Sequence, residues 1–139
     1  MIQELFLTSM KKAMARDLSV VELFGAVEQL KAAGETQLGL QLYELWVGQN
    51  QGNPLMHAVR FNFGVALSDD GKLERARDVF LEAIKSNPEF IPPYINIGTL
   101  YERLGQLDQS IAHWTNAVNV LGAVTADAMN YKLTALKQI

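Results

Sequence analysis

Apolar positions along this chain return every three to four residues in one short segment after another, and no stretch shows the sustained period of two that a half-buried strand needs. The pattern predicts an all-α protein. Ile2, Leu5, Phe6, Met10, Ala13 and Met14 share one face of a first helix, which Asp17-Leu18-Ser19 closes. Ser19 and Glu22, three residues apart, predict a capping box at the start of a second helix, each side chain satisfying a backbone N–H of the other residue. Gly34 ends that helix at Ala33, and a third stripe of Leu38, Leu42, Leu45 and Trp46 is stopped by Gln-Asn-Gln-Gly-Asn-Pro at 49–54. Further helices are predicted over Pro54–Asp70, Leu73–Ser86, Ile91–Gly105 and Leu107–Leu121, with an eighth opening after Gly122.

These segments repeat. Residues 57–90 superpose on residues 91–124 as two blocks of 34, which sets Asn62 on Asn96, Gly64 on Gly98, Leu67 on Tyr101, Gly71 on Gly105, Leu73 on Leu107, Ala76 on Ser110, Phe80 on Trp114 and Ala83 on Ala117. Each match has a physical reason. A glycine inside a helix costs about 1 kcal/mol relative to alanine, so Gly64 and Gly98 imply a neighbouring helix too close for a Cβ. Ala83 and Ala117 read the same way on the second helix of each pair. Gly71 and Gly105 supply a left-handed turn residue, Pro88 ends one unit before the next, and Phe80 and Trp114 fill space between helices of a unit and its successor.

The pattern resembles the tetratricopeptide repeat (TPR), a 34-residue helix–turn–helix unit. Block 91–124 carries Tyr94, Ile97, Gly98, Tyr101, Gly105, Trp114 and Ala117 at the expected offsets, with Ser110 and Gly122 replacing Ala and Pro. Block 57–90 carries Phe63, Gly64, Gly71, Ala76, Phe80, Ala83 and Pro88, while Arg60 and Leu67 depart from the aromatic pattern. Leu23, Ala26, Leu30, Gly34, Gly39 and Tyr43 mark an earlier, degenerate unit with about three extra residues before the next. The expected organisation is an N-terminal helix at 1–18, a degenerate repeat at 19–56, full repeats at 57–90 and 91–124, and the first helix of a further, truncated unit at 125–139. Such an α-α superhelix buries each unit on its neighbours rather than on one central core.

Composition narrows the function. Twelve basic against fifteen acidic residues among 139 give a net charge of −3, and no basic stripe is present, so nucleic acid is not an expected partner. The absence of cysteine excludes thiolate zinc sites and disulfide frameworks, and no apolar run approaches the ~18 residues of a membrane span, so a cytoplasmic protein without membrane contact is expected. The first segment, with Lys11, Lys12 and Arg16 on its polar side, is read as packing on the next helix rather than as an interfacial anchor, which would carry more basic charge and Trp. His57 and His113 fall at different repeat positions and lack the i, i+4 partner of helical metal sites. Neither a phosphate loop nor a nucleophile elbow occurs, so no catalytic residue, cofactor or metal is expected.

A binding face is better supported. In stacked helix pairs, residues at equal repeat positions on the first helices form ladders along a groove. Asn62, Asn96 and Asn130 are spaced by 34 residues, and asparagine is a poor helix-interior residue, so three in phase call for an explanation. An amide carries both donor and acceptor, which pairing with an extended peptide backbone requires. The rival explanation is that these amides bond neighbouring helices to one another. Phe61, Val65, Ser68 and Asp69, then Ile95, Thr99, Glu102 and Arg103, then Met129, Leu133 and Lys137, are predicted to flank the ladder. Tetratricopeptide domains that bind chaperone C-terminal carboxylates set basic side chains beside such asparagines; Phe61 and Ile95 stand there instead, which argues against that ligand.

The runs Asn-Phe-Gly at 62–64 and Asn-Ile-Gly at 96–98 resemble the repeats of the O-linked N-acetylglucosamine transferase family, and 54–71 with 92–98 are similar to the N-terminal region of its bacterial SPINDLY-like members. That resemblance implies a segment that presents protein substrate to a catalytic domain not in this chain. The expected function is a protein-interaction module gripping an extended peptide of another protein. The rivals are the substrate-presenting region of such a glycosyltransferase and a self-assembly scaffold joined through Met129, Leu133, Leu136 and Ile139 of the uncapped last helix.

Overall fold

Within each unit of this chain the turn glycine sets the geometry: Gly34, Gly71 and Gly105 hold φ of 79°, 81° and 72°, the left-handed region where a Cβ is costly. In the computed structural model, which describes residues 1–121, these turns join antiparallel helices into pairs. The helices are α1 (Ile2–Met14), α2 (Val20–Ala32), α3 (Thr36–Gln49), α4 (Met56–Asp69), α5 (Leu73–Ser86), α6 (Pro92–Arg103) and α7 (Leu107–Leu121), with no strand among the described residues. α2 packs on α3, α4 on α5 and α6 on α7, each pair on the next, and α1 lies against α2 and α3. The chain is an all-α superhelix of stacked pairs. The segment 125–139, with Asn130, Met129 and Leu133, lies outside the described residues.

Local chemistry fixes the boundaries. The Ser19 hydroxyl accepts from the Glu22 N–H at 3.1 Å and the Glu22 carboxylate accepts from the Ser19 N–H at 3.1 Å, the capping box expected of them. α4 starts at Met56 rather than Pro54 because Asn53 holds a turn, its side-chain oxygen accepting from the Leu55 N–H at 2.8 Å. α6 runs from Pro92 to Arg103, inside the predicted 91–105. Two prolines open it, where a missing N–H costs nothing, and Gly105 belongs to the turn.

The core runs along the stack. Leu23, Leu30, Leu42, Trp46, Val59, Phe80, Ile97 and Leu100 belong to one continuous buried layer from α1 to α6, and Tyr94, Trp114 and Ala117 form a second cluster; Ile84 touches both. A Cβ on Gly64 would stand 2.6 Å from the Phe80 ring, and one on Gly98 would run into the Trp114 indole. What presses on each glycine is thus the aromatic ring of the paired helix. Ser110, where the repeat pattern has alanine, is fully buried and donates to the Gly98 carbonyl at 3.0 Å.

The first pair follows the same plan at an offset of 37 residues. Gly34 stands where Gly71 stands, Gly39 where Ala76 stands and Tyr43 where Phe80 stands. Here the small residue has changed helices: Val27 occupies the Gly64 position, and Gly39 faces it, with space for a Cβ at 3.4 Å from Val27 Cγ1. Cross-unit bonds fasten this pair to the next. Arg75 donates to both Glu44 carboxylate oxygens, at 2.7 and 2.6 Å, and Gln37 donates to Asp70 while accepting from Lys72, at 3.0 and 2.9 Å.

α1 is tied to α2 by the Lys12–Glu22 ion pair. Hydrogen bonding to Lys12, then to Ser19, lowers the Glu22 carboxyl from its ordinary 4.5 to about 2. Because the folded value is depressed, the pair's contribution is present above pH 4.5 and is lost as pH falls toward 2. A carbon-13 titration of Glu22 is expected to show a midpoint near 2 that moves toward 4.5 in Lys12→Met; an unmoved midpoint would show that the pair does not form.

Candidate functional site

The predicted binding positions that fall among the described residues lie on α4 and α6, the first helices of the second and third pairs. Asn62 on α4 and Asn96 on α6 are half-buried, and neither side-chain amide has a hydrogen-bond partner among the described residues. Bonds that knit neighbouring helices together through these amides are therefore absent among the described residues. Arg103 of α6 reaches Ser68 of α4, donating to its hydroxyl at 3.0 Å, so these two expected flanking residues do lie side by side. Ile95 and Thr99 are exposed, and the Thr99 hydroxyl is turned back onto the Ile95 carbonyl at 3.2 Å.

Phe61 has a different setting. Its half-buried ring packs against Phe80 and Phe90, at centroid distances of 5.7 and 5.8 Å, and it contributes to the junction between units. His57 stands edge-on to Phe90, and His113 lies between Tyr94 and Tyr101, where burial lowers its pKa. Among the described residues there is no grouping of three or more His, Asp or Glu that could hold a metal ion, and no helix long and apolar enough to cross a membrane.

Between the first and second pairs lies a cavity of about 390 Å³. Asn62, Val65 and Asp69 of the predicted face line it on α4, whereas Phe61 does not. The opposite wall consists of residues to which the sequence pattern assigned no binding role: Phe24, Val27, Glu28 and Lys31 of α2, and Gly39, Leu40 and Tyr43 of α3. An alignment offset of 37 residues is the signal that finds them, since it sets Phe24 on Phe61 and Glu28 on Val65. The same offset places Gly25, exposed and with open space around it, at the asparagine position, so the ladder has no rung on α2.

Tyr43 explains why the cavity lies here. In the following pairs the corresponding rings, Phe80 and Trp114, lie over a glycine. Val27 fills that space in the first pair, and the Tyr43 ring stacks instead on Phe63 of the next unit, at 5.4 Å and 23°. Burial, and then the Glu28 carboxylate, raise the Tyr43 phenol well above its ordinary value, so it stays protonated.

Helix pairs stacked one on the next define an α-solenoid of the repeat-protein class. Residues 57–90 and 79–112 each match a family model described as tetratricopeptide repeat. The second match starts within α5 and takes in α6, so it is phased on the junction between pairs. The TPR repeat-containing thioredoxin TTL4 of Arabidopsis thaliana is 30% identical over 93 residues, covering 62% of this chain and 13% of that protein. The Arabidopsis OM64 TPR domain superposes with a TM-score of 0.63 at 16% identity, over 94% of this chain and 99% of that one. MamA does so with a TM-score of 0.63 at 15% identity, over 93% and 83%.

Proposed function

We propose that this chain is a protein-interaction module that holds an extended segment of a partner protein along the face formed by α2, α4 and α6. The carrying observation is the pair of Asn62 and Asn96 amides, one repeat apart, half-buried and without protein partners among the described residues. Each offers a donor and an acceptor to a peptide backbone, whatever that peptide's side chains are. The cavity beside Asn62 adds room for a side chain of the bound segment. Asn130, one repeat beyond Asn96, extends the same ladder in the sequence.

Asn96→Ala is expected to weaken capture of peptides on an immobilised random-peptide array several-fold, about 1 kcal/mol for one lost hydrogen bond, while the circular dichroism melt hardly moves. Unchanged capture would remove the ladder from the binding mechanism. The Asn-Phe-Gly and Asn-Ile-Gly runs support a second form of the same reading, in which the captured segment is the substrate of a glycosyltransferase domain in a longer polypeptide. Fusion of the chain to such a domain is then expected to raise modification of captured peptides above that of uncaptured ones. No difference would exclude it.

A further inference from the structure

The cavity between α2, α3 and α4 is lined by both apolar and polar residues. Phe24, Val27, Leu40 and Val65 supply the apolar part. Among the polar residues Tyr43 is only 4% exposed, yet its hydroxyl has no protein partner among the described residues. That hydroxyl is not sealed from solvent and opens onto the cavity, so a ligand atom can reach it and pair with it. Around it stand Glu28 and Lys31 of α2, Asn62 and Asp69 of α4, and Asp70, which is already engaged by Gln37 and Lys72. Arg103 lies further along the face, bonded to Ser68.

With Asp70 paired to Lys72, two further carboxylates, Glu28 and Asp69, and one lysine line a partly apolar hole. Aliphatic and acidic occupants fit this poorly. An aliphatic side chain leaves the Tyr43 hydroxyl and the Asn62 amide unpaired, and an acidic one meets Glu28 and Asp69. A lysine or arginine satisfies both parts, its methylenes lying on the apolar wall and its cationic head reaching acceptors on Glu28, Tyr43 and Asn62.

We infer that this cavity reads a lysine or arginine side chain of the bound segment, so that the partner is a basic extended stretch rather than an acidic one. The inference rests on the groove reading above and adds the partner's chemistry to it. Charge-assisted bonds contribute more than neutral ones, and lysine or arginine is expected to outbind norleucine at the matching position by about tenfold.

The test is a positional-scanning array of immobilised nonapeptides, each pool carrying lysine, arginine, norleucine or glutamate at one fixed position. The lysine and arginine pools should retain the chain about tenfold better than the norleucine and glutamate pools at one position. Tyr43→Phe, which keeps the ring and its stack on Phe63, and Glu28→Gln should each cut that preference about threefold or more without lowering retention on norleucine. Glu28→Lys should turn the preference toward glutamate. A preference for norleucine or glutamate in the unaltered chain, or a basic preference indifferent to all three substitutions, overturns the inference. Retention that needs Asn96 but ignores the fixed residue's charge leaves the groove reading standing and removes this one. Retention on no pool removes both.

Discussion

Trp46→Ala is expected to destabilise the protein more than any other single truncation considered, by about 3–5 kcal/mol from lost burial and an incompletely collapsed cavity. The indole is 1% exposed, on the helix that packs against both α1 and α2. Its Nε1 also donates to the Leu18 carbonyl at 2.8 Å, pinning the connection between those two helices. Deletion leaves that buried acceptor unsatisfied, which adds about 1–3 kcal/mol. Typical domains are stable by about 5–15 kcal/mol, so the loss approaches the whole. In a stack where each unit touches only its neighbours, the damage should be local at first. Hydrogen exchange is expected to show α1–α3 losing protection while α4–α6 retain it, and urea unfolding to become non-two-state. Uniform loss across all helices would mean that the stack behaves as one cooperative block. Trp46→Phe, which removes the donor and keeps most of the apolar area, should cost much less than Trp46→Ala, and the residual loss bounds the hydrogen-bond part of the effect from above.

Much of the fold is legible in the sequence because its determinants are local. The turn glycines, the Ser19–Glu22 box and the 34-residue spacing of Gly64 with Gly98 and Phe80 with Trp114 name helices, turns and pairing without reference to anything distant. Of the proposed binding face, Asn62 and Val65 line the cavity between α2, α3 and α4, and Asn96 presents an amide free among the described residues. Phe61 shares that periodicity but packs between units, because Phe90, on the connection to α6, lies within reach of its ring. Periodicity assigns a helical face; it does not say what a connecting loop brings to cover it. The α2 and α3 wall was illegible for another reason. The first unit departs from the repeat both in spacing and in the exchange of Val27 for glycine, and the position of Tyr43 depends on that departure. A cavity formed by a broken rule has no motif.

That exchange leads to the second large effect, in which two helical glycines answer the same substitution with opposite sign. Propensity alone favours Gly→Ala inside a helix by about 1 kcal/mol, at Gly64 and at Gly39 alike. At Gly64 the new methyl would stand 2.6 to 2.9 Å from three Phe80 ring atoms, and Phe80 is fully buried with Phe61 against it. A confined ring cannot yield as a flexible chain end does, so the overlap costs about 1–3 kcal/mol or more and outweighs the propensity gain. At Gly39 the methyl would meet only Val27 Cγ1, at 3.4 Å, an ordinary contact. Gly39→Ala is therefore expected to raise the urea midpoint slightly, and Gly64→Ala to lower it clearly with m unchanged. Adding Phe80→Leu to Gly64→Ala should recover part of the loss, because the ring is the obstacle. If both alanines stabilise, Phe80 has room to move and the close approach does not explain glycine at 64. If both destabilise, the α2–α3 contact is tighter than its geometry implies, and Val27 with Gly39 is not the reversed counterpart of Gly64 with Ala76.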